Sequence, residues 1–196
     1  MVLSRSAVLA ATLLVASAVP TAAQAVNLFA YGGWYTALKD LNRVGTAQFR
    51  TGFTIGGGIG YEVDKNVELR ATLTGAQSQL VQDGSPTGVY LNRYFLAADV
   101  KGGYPLANGF EPYAFVGGGA VLLHDKGSSG ADKTQGFVHL GLGIAYSVGK
   151  SGLSVFAEGG GLAYSLSGMN SPTFGRFSAT QIDLGWSLGA TYRLPL

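Results

Sequence analysis

Along most of this chain apolar side chains alternate with polar or very small ones at a period of two, and no other feature of the sequence constrains the fold as much. Successive residues of a strand point to opposite faces, whereas a helix repeats every 3.6 residues, so the pattern predicts β-strands. The last segment shows it best. Ile182, Leu184, Trp186, Leu188, Ala190, Tyr192 and Leu194 share one face, opposite Gln181, Asp183, Gly185, Ser187, Gly189, Thr191 and Arg193. Over residues 49–63, Phe49, Phe53, Ile55, Ile59, Tyr61 and Val63 oppose Arg50, Gly52, Thr54, Gly56, Gly58, Gly60 and Glu62. Residues 67–74 set Val67, Leu69, Ala71 and Leu73 against Glu68, Arg70, Thr72 and Thr74. Residues 137–148 set Val138, Leu140, Leu142, Ile144, Tyr146 and Val148 against Phe137, His139, Gly141, Gly143, Ala145 and Ser147.

Four less regular strands bring the predicted number to eight: 28–36, 89–100, 112–124 and 153–164. In the second, Tyr94, Leu96, Ala98 and Val100 oppose Arg93, Phe95, Ala97, Asp99 and Lys101. In the third, Tyr113, Phe115, Val121 and Leu123 oppose a face that is small and apolar rather than polar. In 153–164 Glu158 shares a face with Phe156 and Leu162, and the sequence leaves the facing of that strand and of 28–36 open.

The connections have a rhythm. Residues 39–48, 77–88, 125–135 and 165–178 form long links rich in Gly, Ser, Asp and Asn, and between them lie short ones at 64–66, 105–109 and 149–152. Long and short alternate strictly. Hairpins of an outer-membrane barrel produce this alternation, with brief turns on one side and extended loops on the other; Greek-key crossovers of a β-sandwich give no reason for it.

Which face looks outward separates a membrane barrel from a soluble one. Only 12% of the residues are charged and 31 are Gly, whereas a water-facing surface is about 25–35% charged. The polar faces here carry mainly Gly, Ser, Thr and Ala, which suit the narrow interior of an eight-stranded barrel. Tyr61, Tyr104, Tyr113, Tyr146 and Tyr192 all fall near the short turns or the C-terminal end, where phenols would form a girdle at headgroup level. Hydrocarbon offers the backbone no hydrogen-bond partner, so the sheet is expected to close without an edge.

The N-terminus carries an export signal. Arg5 is followed by an uncharged, mostly apolar run over residues 7–19, and Ala23-Gln24-Ala25 presents small residues where a signal peptidase reads. Residues 1–25 are read as a cleaved signal peptide and residues 26–196 as the barrel. With Arg5 gone the chain is nearly neutral, and it has no run of Lys or Arg, so nucleic acid is not an expected partner. The absence of Cys rules out disulfides, thiolate zinc sites and cysteine nucleophiles.

Ser187-Leu188-Gly189-Ala190-Thr191-Tyr192-Arg193-Leu194 resembles the β-signal read by the outer-membrane assembly machinery, with Ser187, Gly189, Tyr192 and Leu194 at its polar, glycine and hydrophobic positions. The chain ends Pro195-Leu196, where many such proteins end on an aromatic residue. With the export signal and the strand count, the mature chain is similar to the OmpA/OmpX-type family of small outer-membrane β-barrel proteins. That resemblance implies an all-β, eight-stranded antiparallel up-and-down transmembrane β-barrel in the outer membrane of a Gram-negative-type bacterium. No peptidoglycan-binding domain of the kind attached to OmpA is expected after the barrel.

Candidate chemistry is sparse. On the assigned phases Arg50, Glu62, Glu68, Arg70, Arg93, Asp99, Lys101, Glu158, Asp183 and Arg193 face the lumen. Charges confined in a narrow interior should pair, which favours a plug over a charge-ringed pore. His124 and His139 flank the loop at 125–135 and take the inward phase, but two His without a third ligand do not make a metal site. A lipid A deacylase would need a hydroxyl two residues beyond its His, where Gly141 stands. Gly32-Gly33-Trp34-Tyr35 resembles the first-strand signature of lipocalins, a soluble alternative of equal strand number. The glycine triplets at 56–58, 117–119 and 159–161 have no following Lys-Ser/Thr and are no phosphate cradles.

The expected function is therefore non-enzymatic: envelope structure and surface interaction through four long loops, with a narrow or gated pore as a variant. The alternatives are an exported lipocalin-like carrier of an apolar ligand and a lipid-modifying enzyme. No cofactor or metal is implied. Expected partners are outer-membrane lipid and lipopolysaccharide, the assembly machinery, and a surface ligand that the sequence does not identify.

Overall fold

The computed structural model describes residues 25–38, 47–125, 133–166, 170–171, 175–176 and 180–196. Eight long strands dominate it: β1 (Ala25–Ala37), β2 (Gly52–Asp64), β3 (Val67–Gln82), β4 (Ser85–Gly103), β5 (Phe110–Asp125), β6 (Lys133–Ser147), β7 (Leu153–Ser165) and β8 (Thr180–Pro195). Each pairs antiparallel with its neighbours in sequence, and β8 pairs with β1, so the sheet closes. Closure satisfies the ladder hydrogen bonds of every strand, as a hydrocarbon environment demands.

Both termini of the barrel and the turns at 65–66, 104–109 and 148–152 lie at one end. The opposite end carries the longer connections. One of these departs from the expected pattern. Residues 77–88 form no long loop, because β3 and β4 continue outward as a hairpin in which Gln82 faces Ser85. Asp83 and Gly84 turn it with φ of 50° and 78°, and two consecutive positive φ angles are the two-residue turn whose twist matches a hairpin. The Asp-Gly pair, with polar Gln and Ser around it, hid an extended ladder inside what composition reads as loop.

A second departure concerns residues 49–63. The ladder breaks at Arg50 and Thr51, and the short strand Ala47–Phe49 pairs separately with the outer part of β3. The break inverts the phase, so Phe49 turns inward and Arg50 lies exposed. Arg50 is thus outside the lumen.

The remaining alternation runs through the barrel wall with its greasy side out. Leu188 is 64% exposed, Trp186 56%, Leu140 65% and Leu142 69%. Beside them Gln181, Asp183, Thr54 and Arg93 are almost wholly buried. A soluble barrel orders its faces the other way. Along β8 the outward band from Ile182 to Leu194 spans roughly 30 Å at the usual rise and tilt, enough for a hydrocarbon core.

Strand β5 corrects the expected facing of Tyr113. Its bulky residues Tyr113, Val121 and Leu123 are buried in the lumen, and Ala114, Val116, Ala120 and Leu122 face out. The neighbouring strand explains why. A Cβ on Gly143 would lie 2.3 Å from the Tyr113 ring, and one on Gly141 would lie 2.4 Å from the Phe115 ring. Bare glycine backbone on β6 therefore makes the space into which β5 lays its aromatics. Tyr61, Tyr104, Tyr146 and Tyr192 remain on the outside near the short-turn end, with Tyr61 half-buried.

Candidate functional site

Among the described residues, charged groups converge in the interior, which is built in three levels. At the short-turn end Arg193 of β8 donates two hydrogen bonds to Glu62 of β2, at 2.9 and 2.7 Å, and Asn27 of β1 donates to the same carboxylate. Lys101 lies between Glu68, 3.3 Å away, and Glu111, 2.8 Å away, with its ammonium 4.4 Å from the centre of the Tyr113 ring. These groups line an open vestibule of about 310 Å³.

The middle level centres on Arg70 of β3. Its guanidinium reaches Glu158 of β7 at 2.6 Å and lies 3.5 Å from Glu68. The Phe29 and Tyr113 rings flank it at 5.2 and 5.3 Å. Tyr113 donates its phenol proton to Glu158 at 2.9 Å. Alongside, His139 of β6 meets Asp99 of β4, and the imidazole sits between the rings of Phe115 and Phe137, each 5.5 Å away. Tyr31 and Thr74 share a hydrogen bond. The cavity among these groups is about 70 Å³, the room of two or so water molecules rather than of an organic ligand.

The third level seals the long-loop end. Arg93 of β4 pairs with Asp183 of β8 and donates to Tyr164 at 2.8 Å and to Ser78. Gln181 donates to the other Asp183 oxygen at 2.9 Å. Around this polar knot stands an apolar cluster that includes Phe49, Leu80, Leu91, Phe95, Val121 and Leu123. Phe95 is its hub, with the Phe137 ring 5.2 Å away, Tyr35 at 5.9 Å and Tyr164 at 6.1 Å. Such a cluster costs the buried ion pair its hydration, and three neighbours, Tyr164, Ser78 and Gln181, replace part of it with hydrogen bonds.

Of the ten charged residues assigned to the lumen, Glu62, Glu68, Arg70, Arg93, Asp99, Lys101, Glu158, Asp183 and Arg193 lie inside, each with an opposite charge or His139 in reach. Two further members, Glu111 and His139, stand outside the ion-pair network that the sequence assigns. Glu111 stands just before Pro112 at the start of β5, where the strand's polar phase was not evident. His139 was placed inward but its partner Asp99 lies two strands away, a pairing that only register fixes. The apolar roof was missed too, because Leu80 and Leu91 fall at the edges of what composition reads as loop. His124 alternates onto the outward face of β5 with Leu122, so the two His do not converge. Among the described residues no three His, Asp or Glu side chains cluster as metal ligands. Ser187, Gly189, Tyr192 and Leu194 lie on β8, with Tyr192 and Leu194 outward.

Comparison with known proteins matches these features to a recognised group. The profile of the family described as "Outer membrane protein beta-barrel domain" matches residues 8–193. No curated protein sequence matches the chain. Among solved structures, Neisserial surface protein A is 15% identical, with a TM-score of 0.57 over 85% of this chain and 96% of that one. The outer membrane protein OprG from Pseudomonas aeruginosa is 12% identical, with a TM-score of 0.55 over 89% and 98%. The outer membrane protein AlkL, determined in lipid bilayers, is 19% identical, with a TM-score of 0.53 over 91% and 95%. At these identities the likeness is one of fold.

Proposed function

The chain belongs to the outer membrane protein beta-barrel domain family, and from that premise we propose that it is a non-enzymatic envelope protein, a plugged barrel that presents its long-loop end as a contact surface. The observation that carries the proposal is the pair of crossbars in the interior. Arg70–Glu158 joins β3 to β7 and Arg93–Asp183 joins β4 to β8, in both cases strands four places apart around a ring of eight. Each pair spans the lumen. An ion would have to break both and then pass the apolar roof, where it would lose its hydration without compensation.

The parts then have separate tasks. The outward Leu, Ile, Val and Trp side chains anchor the wall in acyl chains, and the inward ion pairs hold opposite walls at a fixed distance. The hairpin at Asp83-Gly84 and the other connections at that end form the contact surface, since loops on a rigid scaffold are free to vary. Export by a signal peptide cleaved after Ala25 belongs to the same proposal, as do lipopolysaccharide around the outer half of the wall and an unidentified surface ligand. The protein isolated from membranes should begin at Val26.

Single-channel recording in planar bilayers tests the plug. The unaltered protein and Arg70→Ala should show no steady open level, because the roof still closes the lumen. The double variant Arg70→Ala with Arg93→Ala should open in discrete steps. Steady conductance by the unaltered protein would replace the plug with a narrow pore.

A further inference from the structure

We infer that the turn between β4 and β5 is a site of covalent self-modification, at which Asn108 and Gly109 close a succinimide, expel ammonia and reopen with water as aspartate or isoaspartate. The dipeptide Asn-Gly occurs once in the chain. The Leu106 N–H donates to the Phe110 carbonyl at 2.8 Å, so Ala107, Asn108 and Gly109 alone make the turn. Gly109 has φ of 85°, the left-handed conformation that a three-residue hairpin loop places at its end. Asn108 is exposed to solvent.

The attacking atom is the backbone nitrogen of Gly109, which carries no Cβ to obstruct its approach to the Asn108 side chain. The attacked atom is Cγ of Asn108. The Phe110 N–H donates to Oδ1 of that amide at 3.3 Å. This bond folds the side chain back over the main chain, and it sets a donor where Oδ1 gains negative charge during attack. The Gly109 nitrogen gives its proton to water, the N–Cγ bond forms, and the side-chain nitrogen leaves as ammonia. Water then opens the ring. Cleavage at Cγ restores the ordinary peptide with an aspartate, and cleavage at the main-chain carbonyl carbon gives isoaspartate. Asparagine and water are consumed, and the acid and ammonia are formed. The Gly109 N–H donates to the Leu106 carbonyl at 3.1 Å, and opening of this single bond sets the pace.

Other described asparagines lack one requirement or another. Asn27 and Asn92 are buried, and Asn66 precedes the β-branched Val67. At Asn108 the product adds a carboxylate to the short-turn end. The isoaspartate also lengthens a turn that is anchored to β6, where the Gly109 carbonyl accepts the Ser147 N–H at 2.9 Å.

The test holds folded protein in mild detergent for weeks at body temperature and slightly alkaline pH, with samples digested and read by mass spectrometry. Isoaspartate is scored with an isoaspartyl methyltransferase, and the gel shift on heating reports the folded barrel in every variant. The peptide that contains Asn108 should gain the mass of an oxygen-for-nitrogen exchange and become a methyl acceptor. Asn108→Gln should abolish both changes. Phe110→Pro keeps the Asn-Gly dipeptide but deletes the donor to Oδ1, and it should slow the gain at least about tenfold, less than a fully preorganised oxyanion donor is worth. A folded barrel that stays unmodified while the urea-unfolded chain reacts would show that the Leu106 bond protects the turn, and would overturn the site. Equal rates with and without the Phe110 N–H would overturn its geometry.

Discussion

Arg93 and Asp183 stand half the barrel apart, yet their charged groups meet inside it, 1% and 0% exposed. Breaking such a pair leaves one charge buried without a partner, which typically costs about 3–5 kcal/mol. Arg93→Ala should lower the stability in micelles by that amount, read by Trp fluorescence in urea. The double variant Arg93→Leu with Asp183→Leu should recover most of the loss, because the surrounding Leu80, Leu91 and Leu123 already supply an apolar setting. A double variant as unstable as the single one would show that the pair is more than locally compensated.

The packing of Tyr113 against Gly143 gives a second expectation. A side chain on Gly143 has no room, since its Cβ alone would lie 2.3 Å from the ring. Gly143→Val should destabilise the barrel by about 1–3 kcal/mol, the usual cost of overpacking. Adding Tyr113→Ala should relieve the clash, so the two changes should be far from additive in a double-mutant cycle.

The orientation of the wall is checked at Leu140, midway along β6 and 65% exposed. Leu140→Arg should cost about 2–4 kcal/mol of stability in lipid vesicles, the price of a cation near the bilayer midplane. In water a surface arginine would be nearly neutral, so a null effect would restore the soluble carrier.

Topology is testable from the turns. A short epitope inserted between Asp83 and Gly84 should be labelled by antibody on intact cells. The same epitope between Lys65 and Asn66 should need permeabilised cells, because that turn lies with the termini at the other end. Both turns are exposed and tight, so insertion should leave the ladder intact.

How far the sequence discloses the molecule follows from what alternation can carry. Where one face is uniformly apolar and the other small or polar, as on β8 and β6, period two fixes both the strand and its facing. On β5 both faces are apolar, and the facing of Tyr113 is decided by glycines on β6 that are 30 residues away in the chain. Near Arg50 the phase depends on a break in the ladder that leaves no mark in hydropathy. Membership of the lumen is legible for Arg93 and Asp183, but their pairing is not, because register between strands 90 residues apart is set by four intervening hairpins.

The last strand carries the final prediction. Leu194 faces outward near the end of β8, 38% exposed, opposite Val26 of β1 and away from every lumen group described above. Its removal therefore costs the finished barrel little, since lipid replaces the lost contacts. If the segment from Ser187 to Leu194 is read by an assembly machinery, however, Leu194 occupies the terminal hydrophobic position that such reading requires. Leu194→Ser should then refold in detergent with the yield and gel shift of the unaltered protein, while its amount in the outer membrane of cells falls severalfold. Gly189 cannot make this distinction, because a Cβ there would lie 2.4 Å from both the Ala30 carbonyl oxygen and the Phe156 ring, and any substitution damages the fold as well. Equal loss of Leu194→Ser in detergent and in cells would assign the residue to stability alone.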